Sequence, residues 1–125
     1  MPWKFENGSP IYKQLVHRIK TMIAAGTYSA DEKMPSVREM AVITGVNPNT
    51  MQRAFAELEQ EGLLYSRRTS GRFVTGEEKI LKDLRERLAY EEISRLFDEL
   101  EKLGMSDDEI RQSVAKWREE PDGND

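Results

Sequence analysis

Two helix starts separated by one short turn constrain this chain more than any other feature. Ser36 and Glu39 have the spacing of a capping box at the start of one helix, and Asn47 followed by Pro48 marks the start of the next. Gly45 lies between these two starts, so the first helix must be short and the turn tight. Two helices joined in this way are typical of a helix-turn-helix, and we predict one here.

Apolar residues at helical spacing support this interpretation. The second of the two helices is expected to end near Glu61. Its predicted buried stripe comprises Met51, Ala54, Phe55 and Leu58. An earlier helix is predicted with Ser9 as its N-cap, Pro10 at its first position and Gly26 at its end. His17 lies on that helix but off its apolar stripe, and we interpret it as a surface residue rather than a metal ligand.

The pattern changes after Gly62. Residues 63–66 and 73–75 are short strand candidates, and the turn between them, residues 67–72, contains three arginines and a glycine. These segments predict a β-hairpin with a basic tip. A hairpin directly after the second helix of a helix-turn-helix indicates a winged helix, so residues 1–76 are predicted to form a winged helix-turn-helix domain.

Residues 77–125 have a different character. One long helix is predicted to Leu103, Gly104 ends it, and a second capping box at Ser106 and Glu109 starts another helix. Two helices are too small to form a core alone, so their apolar stripe must pack on another chain, on the winged helix, or on both. We predict a two-helix dimerisation region with a disordered tail over residues 121–125. The dimerisation candidates are Leu81, Leu84, Leu88, Ile93, Leu96, Phe97, Leu100, Leu103, Ile110, Val114 and Trp117.

Composition narrows the classes of function. The chain has no cysteine and one histidine, which excludes disulfides and a thiol nucleophile and indicates neither a metal site nor a cofactor. No apolar run is long enough to span a membrane, and the start does not resemble a signal peptide, so we expect a cytoplasmic protein with no membrane partner. Residues 1–76 carry a net charge of +3 and the remainder −7, which suggests that only the first part meets a polyanion.

The predicted recognition surface is polar and basic. Amide and guanidinium side chains on the outer face of the third helix can pair with base edges in the major groove of double-stranded DNA. The start of the preceding helix offers N–H groups to an anion, and a thin basic hairpin can follow the backbone or enter the minor groove. The DNA-binding candidates are Ser36, Arg38, Asn47, Pro48, Asn49, Thr50, Gln52, Arg53, Arg67, Arg68, Ser70, Gly71 and Arg72.

These segments resemble a known family. Residues 9–12, 35–41, 45–51, 57–63 and 71–74 are similar to the winged-helix domain of GntR-family bacterial transcription regulators. The stretch 47–50 and the two-helix tail, with residues 103–106 between its helices, resemble the YtrA subfamily. The resemblance implies a homodimeric repressor of a palindromic operator, often encoded beside ABC-transporter genes. It places DNA contacts on Arg38, Asn47, Asn49, Thr50, Gln52 and the wing around Ser70 and Gly71.

The wing departs from the family at two positions. Thr69 stands where relatives often have glycine, and Arg72 stands where they often have threonine. The resemblance therefore leaves open how the wing is held and how it meets the minor groove. Larger members carry a ligand domain after the winged helix, whereas two helices can hardly enclose a pocket of about 300 Å³. We therefore expect any small-molecule effector site to be small, shared between subunits, or absent.

Two other classes of function remain open at this point. A winged helix can bind proteins instead of DNA, which the overall acidity favours and the basic wing disfavours. An enzyme would need a carboxylate poised in a cleft with a strongly perturbed pKa. Glu91 and Glu92 lie on a predicted solvated helix face and Asp107 and Asp108 belong to a cap, so we predict that the chain is not an enzyme.

Overall fold

The computed structural model describes residues 2–119 and is mostly helical with one small hairpin. The elements are α1 (Ile11–Ala25), α2 (Val37–Thr44), α3 (Pro48–Gln60), β1 (Leu64–Arg67), β2 (Gly71–Val74), α4 (Glu78–Glu101) and α5 (Asp107–Glu119). The chain forms two compact units, one ending at Glu86 and the other starting at Arg87. The predicted winged helix-turn-helix followed by two further helices is confirmed. The predicted functional division after residue 76 stays a prediction.

The core of the first unit lies where α3 packs against α1, α2 and β1. Its largest fully buried side chains include Leu15, Ile19, Met40, Met51, Phe55, Leu58, Leu63 and Leu64. All four residues of the predicted α3 stripe are buried. Because that stripe occupies the inner side of α3, the opposite side of the helix remains free for recognition.

The helix-turn-helix forms with the caps that the sequence predicts. Ser36 Oγ accepts a hydrogen bond from the Glu39 N–H at 3.0 Å, and the Ser36 N–H donates to Glu39 Oε1 at 2.8 Å. Gly45 ends α2 in the left-handed conformation, with φ of 75°. Asn47 Oδ1 then accepts from the Asn49 N–H at 2.8 Å and starts α3. Side chains thus satisfy the first N–H groups of both helices.

The start of α1 differs from the prediction. Helix α1 begins at Ile11, its N-cap is Pro10 rather than Ser9, and no side chain caps it. Instead, Gln14 reaches back from the first turn: its Nε2 donates to the carbonyls of Glu6 and Ser9, at 2.8 and 3.0 Å. The glutamine amide thus fixes the chain that enters the helix, but it does not cap the first N–H groups of α1.

An N-terminal arm, residues 2–9, packs on the helix-turn-helix, and sequence analysis did not predict it. The Trp3 N–H donates to the carbonyl of Thr44 at 3.0 Å, which satisfies an otherwise unpaired carbonyl at the end of α2. The Arg18 guanidinium lies 4.1 Å from the centroid of the Trp3 ring and 5.6 Å from that of Phe5. Its Nη1 also donates to the carbonyl of Lys4 at 2.9 Å. These contacts hold the arm against α1 and α2.

The wing is an antiparallel hairpin in which Ser66 pairs with Arg72 and Arg67 with Gly71. The strands lie closer to the tip than predicted, because only residues 68–70 form the turn. Residues 31–34 extend the hairpin with backbone bonds to β2, including one from the Met34 N–H to the Arg72 carbonyl at 2.8 Å. Thr69 adopts a left-handed conformation, with φ of 67°. The threonine therefore takes the conformation that a glycine would favour there.

Gly76 connects the wing to α4 in a confined space. A Cβ atom on this glycine would collide with the carboxylate of Asp31, so no larger residue fits without a shift. The Tyr65 hydroxyl donates to Asp31 Oδ1 at 2.9 Å and keeps that carboxylate in place. Leu84, two turns into α4, is completely buried. The first turns of α4 therefore belong to the same compact unit as the winged helix.

The second unit contains the rest of α4 and helix α5. The predicted capping box is confirmed: Ser106 Oγ accepts from the Glu109 N–H at 3.2 Å, and the Ser106 N–H donates to Glu109 Oε1 at 2.8 Å. Ile110 is completely buried, and the Arg111 guanidinium lies 5.4 Å from the centroid of the Phe97 ring. The predicted disordered tail, residues 121–125, lies outside the described residues.

Candidate nucleic-acid interface

The outer face of α3 carries the amide candidates. Asn49 and Gln52 are exposed and Thr50 is half-buried, while Met51 beside them is buried. The helix thus separates an apolar inner face from a polar outer face within a single turn. Exposed amides on a helix are well suited to pair with adenine in a major groove.

Asn47 and Pro48 form the exposed tip of this helix. The cap bond from the Asn49 N–H occupies Asn47 Oδ1, so this asparagine has a structural role whatever else it contacts. Its amide nitrogen is the group that can donate to a phosphate. Pro48 occupies the first helical position, where a proline is favoured because its missing N–H would have no partner within the helix.

Arg38 lies in the first turn of α2 and is exposed. Its neighbour Glu39 is committed to the capping box with Ser36. Hydrogen bonds from Ser36, above all from its backbone N–H, hold the pKa of Glu39 below its usual value. Within residues 2–119, Arg38 has neither an ion pair nor a hydrogen bond from its side chain. The same box uses the N–H groups of Ser36 and Glu39, so fewer donors remain for an anion at this helix start than the sequence predicts.

Two wing arginines have different surroundings. The Arg67 guanidinium lies 4.9 Å from the centroid of Phe73 and 5.6 Å from that of Tyr65, and these two rings stack on each other. Arg67 Nη2 also donates to the Tyr65 hydroxyl at 3.4 Å. Arg68, at the tip, is exposed and has no side-chain partner in the described part of the chain. Arg68 is therefore the more available cation of the two.

Arg72 does not share this availability. Its Nε donates to Glu59 Oε1 at 2.9 Å, and its side chain is 22% exposed. Its guanidinium also lies 5.5 Å from the centroid of the buried Phe55 ring. The sequence groups Arg72 with the other wing arginines around Gly71, but the structure turns this side chain onto α3. Glu59, which sequence analysis did not single out, is the reason.

Arg53 is also engaged within the chain. Its guanidinium lies 3.7 Å from the centroid of the Tyr12 ring on α1. Tyr12 is half-buried and was not predicted to take part in the site. No local signal in the sequence pairs these residues, because they lie on different helices.

A cavity of about 330 Å³ lies between the start of α2 and the wing. It brings Ser36 together with Ser70, Gly71 and Arg72, all of which are candidates from the sequence. Lys33 also lines this cavity and adds a cation that the sequence analysis missed. Its position three residues before the Ser36 cap was the only available signal. The start of α2 and the wing thus form one continuous surface.

The dimerisation candidates divide into three groups by exposure. Leu84 and Ile110 are completely buried within the chain, so they have no surface to offer a partner. Leu81, Leu88, Phe97 and Leu100 are half-buried. Ile93, Leu96, Leu103, Val114 and Trp117 are exposed, as is Tyr90, which the sequence analysis left out. In the second unit an apolar surface therefore remains uncovered in the single chain.

Other types of site find little support in residues 2–119. That range contains no group of three or more histidine or acidic side chains arranged to hold a metal ion. Nor does any helix within it have the length and hydrophobicity needed to cross a membrane. The polar and basic surface formed by α2, α3 and the wing brings together several of the predicted DNA-binding residues.

A helix-turn-helix followed by a hairpin wing, with an exposed polar face on its second helix, defines a winged-helix DNA-binding domain. Residues 11–74 match the family described as "Bacterial regulatory proteins, gntR family". The chain belongs to this family and is a YtrA-like transcriptional regulator with a GntR DNA-binding domain.

Two relatives from Bacillus subtilis (strain 168) illustrate the similarity. The HTH-type transcriptional regulator YhcF, whose function is uncharacterized, is 32% identical over 116 residues, or 93% of this chain and 96% of YhcF. The transcriptional repressor YtrA is 38% identical over 69 residues, which is 55% of this chain and 53% of YtrA. The similarity to YhcF thus includes the two C-terminal helices, whereas the match to YtrA covers about half of each protein.

Solved structures agree with the architecture. A GntR-family transcriptional regulator from Listeria monocytogenes superposes with a TM-score of 0.80 at 40% identity, over 90% of this chain and 98% of that one. The DNA-binding domain of AraR, solved in complex with operator ORX1, superposes with a TM-score of 0.54 at 29% identity, over 60% of this chain and 99% of that one. The fold assignment therefore holds for most of the chain, and the winged helix alone resembles a domain solved with DNA.

Proposed function

We propose that this chain is a homodimeric repressor that binds a palindromic operator in double-stranded DNA. Asn49 and Gln52 on α3 read bases in the major groove. Arg38, at the start of α2, and Arg68, at the wing tip, contact the backbone on either side of α3. The observation that carries this proposal is that these four side chains are all exposed and belong to one compact unit.

The AraR domain supports DNA as the partner. It resembles the winged helix of this chain and was solved with an operator. Repressors among the relatives, YtrA and NagR of Bacillus subtilis, support repression rather than activation. Family resemblance adds the proposal that the operator controls an ABC-transporter operon. A DNA target also implies that the protein acts in the cytoplasm.

The second unit supports the proposed dimer. Its exposed apolar side chains would remain in water in a monomer, and burying them against a second copy is favourable. Two copies related by a two-fold axis would present two α3 helices to two half-sites, which requires a palindromic operator. An obligate interface of this kind buries about 2,000 Å² or more.

The operator can be identified by selecting bound sequences from a random duplex library. We expect an enriched palindrome and binding that weakens steeply as salt concentration rises. Mapping the palindrome upstream of candidate genes then tests the transporter operon. Enrichment of no sequence would contradict the proposal and favour the alternative of a winged helix that binds a protein.

The dimer has its own experiment. Full-length protein is expected to sediment as a dimer at micromolar concentration, and Trp117→Glu and Ile93→Glu should each shift it toward a monomer. Ile43→Glu is the matched control, because Ile43 is 47% exposed on α2 and Ile93 is 53% exposed in the second unit. A wild-type monomer, or equal dissociation by the control, would contradict the proposed interface.

Carboxylate chemistry gives no support to an enzyme. Three of the described carboxylates have clearly shifted pKa values: Glu39, Glu59 and Glu109. In each, hydrogen bonds that stabilise the charged form lower the pKa. A general acid at neutral pH needs the opposite shift. We therefore propose a regulator without enzymatic activity.

A further inference from the structure

Glu59 joins the recognition helix to both strands of the wing. Its Oε1 accepts a hydrogen bond from Arg72 Nε at 2.9 Å, and its Oε2 accepts one from Ser66 Oγ, also at 2.9 Å. Ser66 and Arg72 are cross-strand partners on β1 and β2. One carboxylate therefore holds both Ser66 and Arg72. This pair lies next to the last cross-strand pair before the turn of the wing, Arg67 and Gly71.

Additional contacts fix this junction. The Arg72 guanidinium lies 5.5 Å from the centroid of Phe55, which is one helical turn before Glu59 on α3. Arg72 thus packs on two consecutive turns of the same helix. The hydrogen bond from Arg72, followed by that from Ser66, holds the pKa of Glu59 below its usual value, so this carboxylate is charged at neutral pH.

The clamp lies on the side of α3 that also carries a base-reading candidate. Glu59 follows Gln52 by seven residues, which is about two helical turns or about 10 Å along the axis. Residues seven apart share a helix face, so the wing is attached in line with Gln52. This carboxylate therefore ties the wing to the recognition helix, in addition to the backbone hydrogen bonds between residues 31–34 and β2.

We propose that Glu59 is a positioning residue for operator binding: it does not contact DNA but holds the wing so that Arg68 reaches the backbone while α3 occupies the major groove. The inference rests on the proposed DNA-binding function and assigns a new role within that site. It also gives Arg72 a role in anchoring the wing, distinct from a direct phosphate contact.

Double-mutant cycles on operator binding test this role. In the unchanged background, Arg68→Ala and Asn49→Ala are each expected to weaken operator binding about tenfold. In the Glu59→Ala background, Arg68→Ala should have much less effect, because a wing tip that is no longer tied to α3 does not hold Arg68 on DNA. Asn49→Ala should keep its full effect, since α3 retains its own core contacts. A structural defect alone would not produce this selective coupling.

Glu61→Ala is the matched control. Glu61 lies two residues further along and pairs with Lys20 of α1 at 2.8 Å, so this variant also removes one negative charge and one ion pair but leaves the wing attached. We expect Glu59→Ala to weaken operator binding about tenfold and Glu61→Ala to leave it nearly unchanged. Glu59→Met, which keeps most of the side-chain volume but can accept neither hydrogen bond, repeats the cycle and should show the same selective coupling if Glu59→Ala folds poorly.

Three results would overturn the proposal. Binding by Glu59→Ala that equals or exceeds the wild-type affinity would show that the clamp is not needed. Full additivity of Glu59 and Arg68 substitutions, with both single effects present, would remove the positioning role and leave DNA binding intact. If neither Arg68→Ala nor Asn49→Ala changes binding, the proposed DNA site itself fails and the role of Glu59 fails with it.

Discussion

The Arg53 guanidinium stacks on the ring of Tyr12, with its carbon 3.7 Å from the ring centroid. This contact joins α3 to α1. A partly exposed cation–π contact contributes about 0.5–1 kcal/mol. Arg53 therefore stabilises the fold, whether or not it also contacts DNA.

A thermal double-mutant cycle tests this contact. Tyr12→Leu and Arg53→Met should each lower stability, and the double variant should lose less than the sum, with a coupling of about 0.5–1 kcal/mol. Tyr12→Phe keeps the aromatic ring and is the control, so its coupling to Arg53 should remain. Additive single effects would mean that the stack contributes nothing to stability.

Arg38→Ala should separate affinity from stability. Since Arg38 is exposed and Glu39 is bound to Ser36, its removal should change the free energy of unfolding by less than about 0.5 kcal/mol. Operator affinity should fall about tenfold or more, because a charge-assisted hydrogen bond is lost. Melting curves and operator titrations on the same variant measure both quantities.

Arg18→Ala is a useful comparison for Arg38. Arg18 contacts Trp3, Phe5 and the carbonyl of Lys4, so its removal should destabilise the protein more than it weakens DNA binding. If Arg38→Ala behaves like Arg18→Ala, with a lower melting temperature and intact operator affinity, the DNA contact assigned to Arg38 is wrong.

Base reading and backbone contact should differ in their response to sequence and salt. Asn49→Ala and Gln52→Ala should relax the preference at defined operator positions, each at a cost of about 1–3 kcal/mol. Arg68→Ala should weaken binding to most sequences and reduce the salt slope by about one. Competition with single-base operator variants at two salt concentrations distinguishes these outcomes. Unchanged base preference in both amide variants would place base reading elsewhere.

Thr69→Gly should stabilise the protein. A β-branched residue with φ of 67° is strained by about 1–2 kcal/mol, and glycine removes this strain at a smaller cost in chain entropy. We expect a net gain of about 0.5–1 kcal/mol in the free energy of unfolding. Gly62→Ala is the converse control, since Gly62 has φ of 81° with open space around it and should lose stability. If the Thr69→Gly protein is less stable than the wild type, the backbone of Thr69 is not strained as we predict.

Acid should destabilise the protein by protonating the glutamates whose pKa values are lowered in the folded state. Hydrogen bonds depress the pKa values of Glu39, Glu59 and Glu109 in the folded state, so their stabilisation is complete above the ordinary glutamate value of about 4.3 and disappears as pH falls through the lowered pKa. Melting temperatures should therefore be flat near neutrality and fall below about pH 4.5. Glu39→Gln, which cannot titrate, should make this fall shallower, and an equally steep fall would exclude Glu39 as a contributor.

Local chemistry explains which parts of the fold could be predicted. The boxes at Ser36 and Ser106 and the cap at Asn47 depend on residues within four positions, so their sequence signals are sufficient. The α3 stripe is likewise set by helical periodicity. Ser9 failed as a cap because α1 begins at Ile11, one residue later than predicted, which places Pro10 and not Ser9 at the N-cap position.

The rest depends on contacts between distant segments. The sequence indicates that Arg72 is a basic wing residue, but only the folded chain brings Glu59 of α3 beneath it. Similarly, the stack of Arg53 on Tyr12 and the packing of the N-terminal arm join segments that have no local relationship. Burial of Leu84 and Ile110 within one chain also follows from tertiary packing, since apolar periodicity does not distinguish an internal face from one shared with a partner.

The N-terminal arm has a practical consequence for anyone handling this protein. Pro2 lies so close to the turn between α2 and α3 that its Cβ is 3.0 Å from where a side chain on Gly45 would begin. A purification tag or fluorescent protein fused ahead of Pro2 would therefore emerge beside the turn that precedes α3, the proposed base-reading helix, and would obstruct access to it. Binding assays and reporter fusions should instead attach such additions after α5, with a cleavable linker.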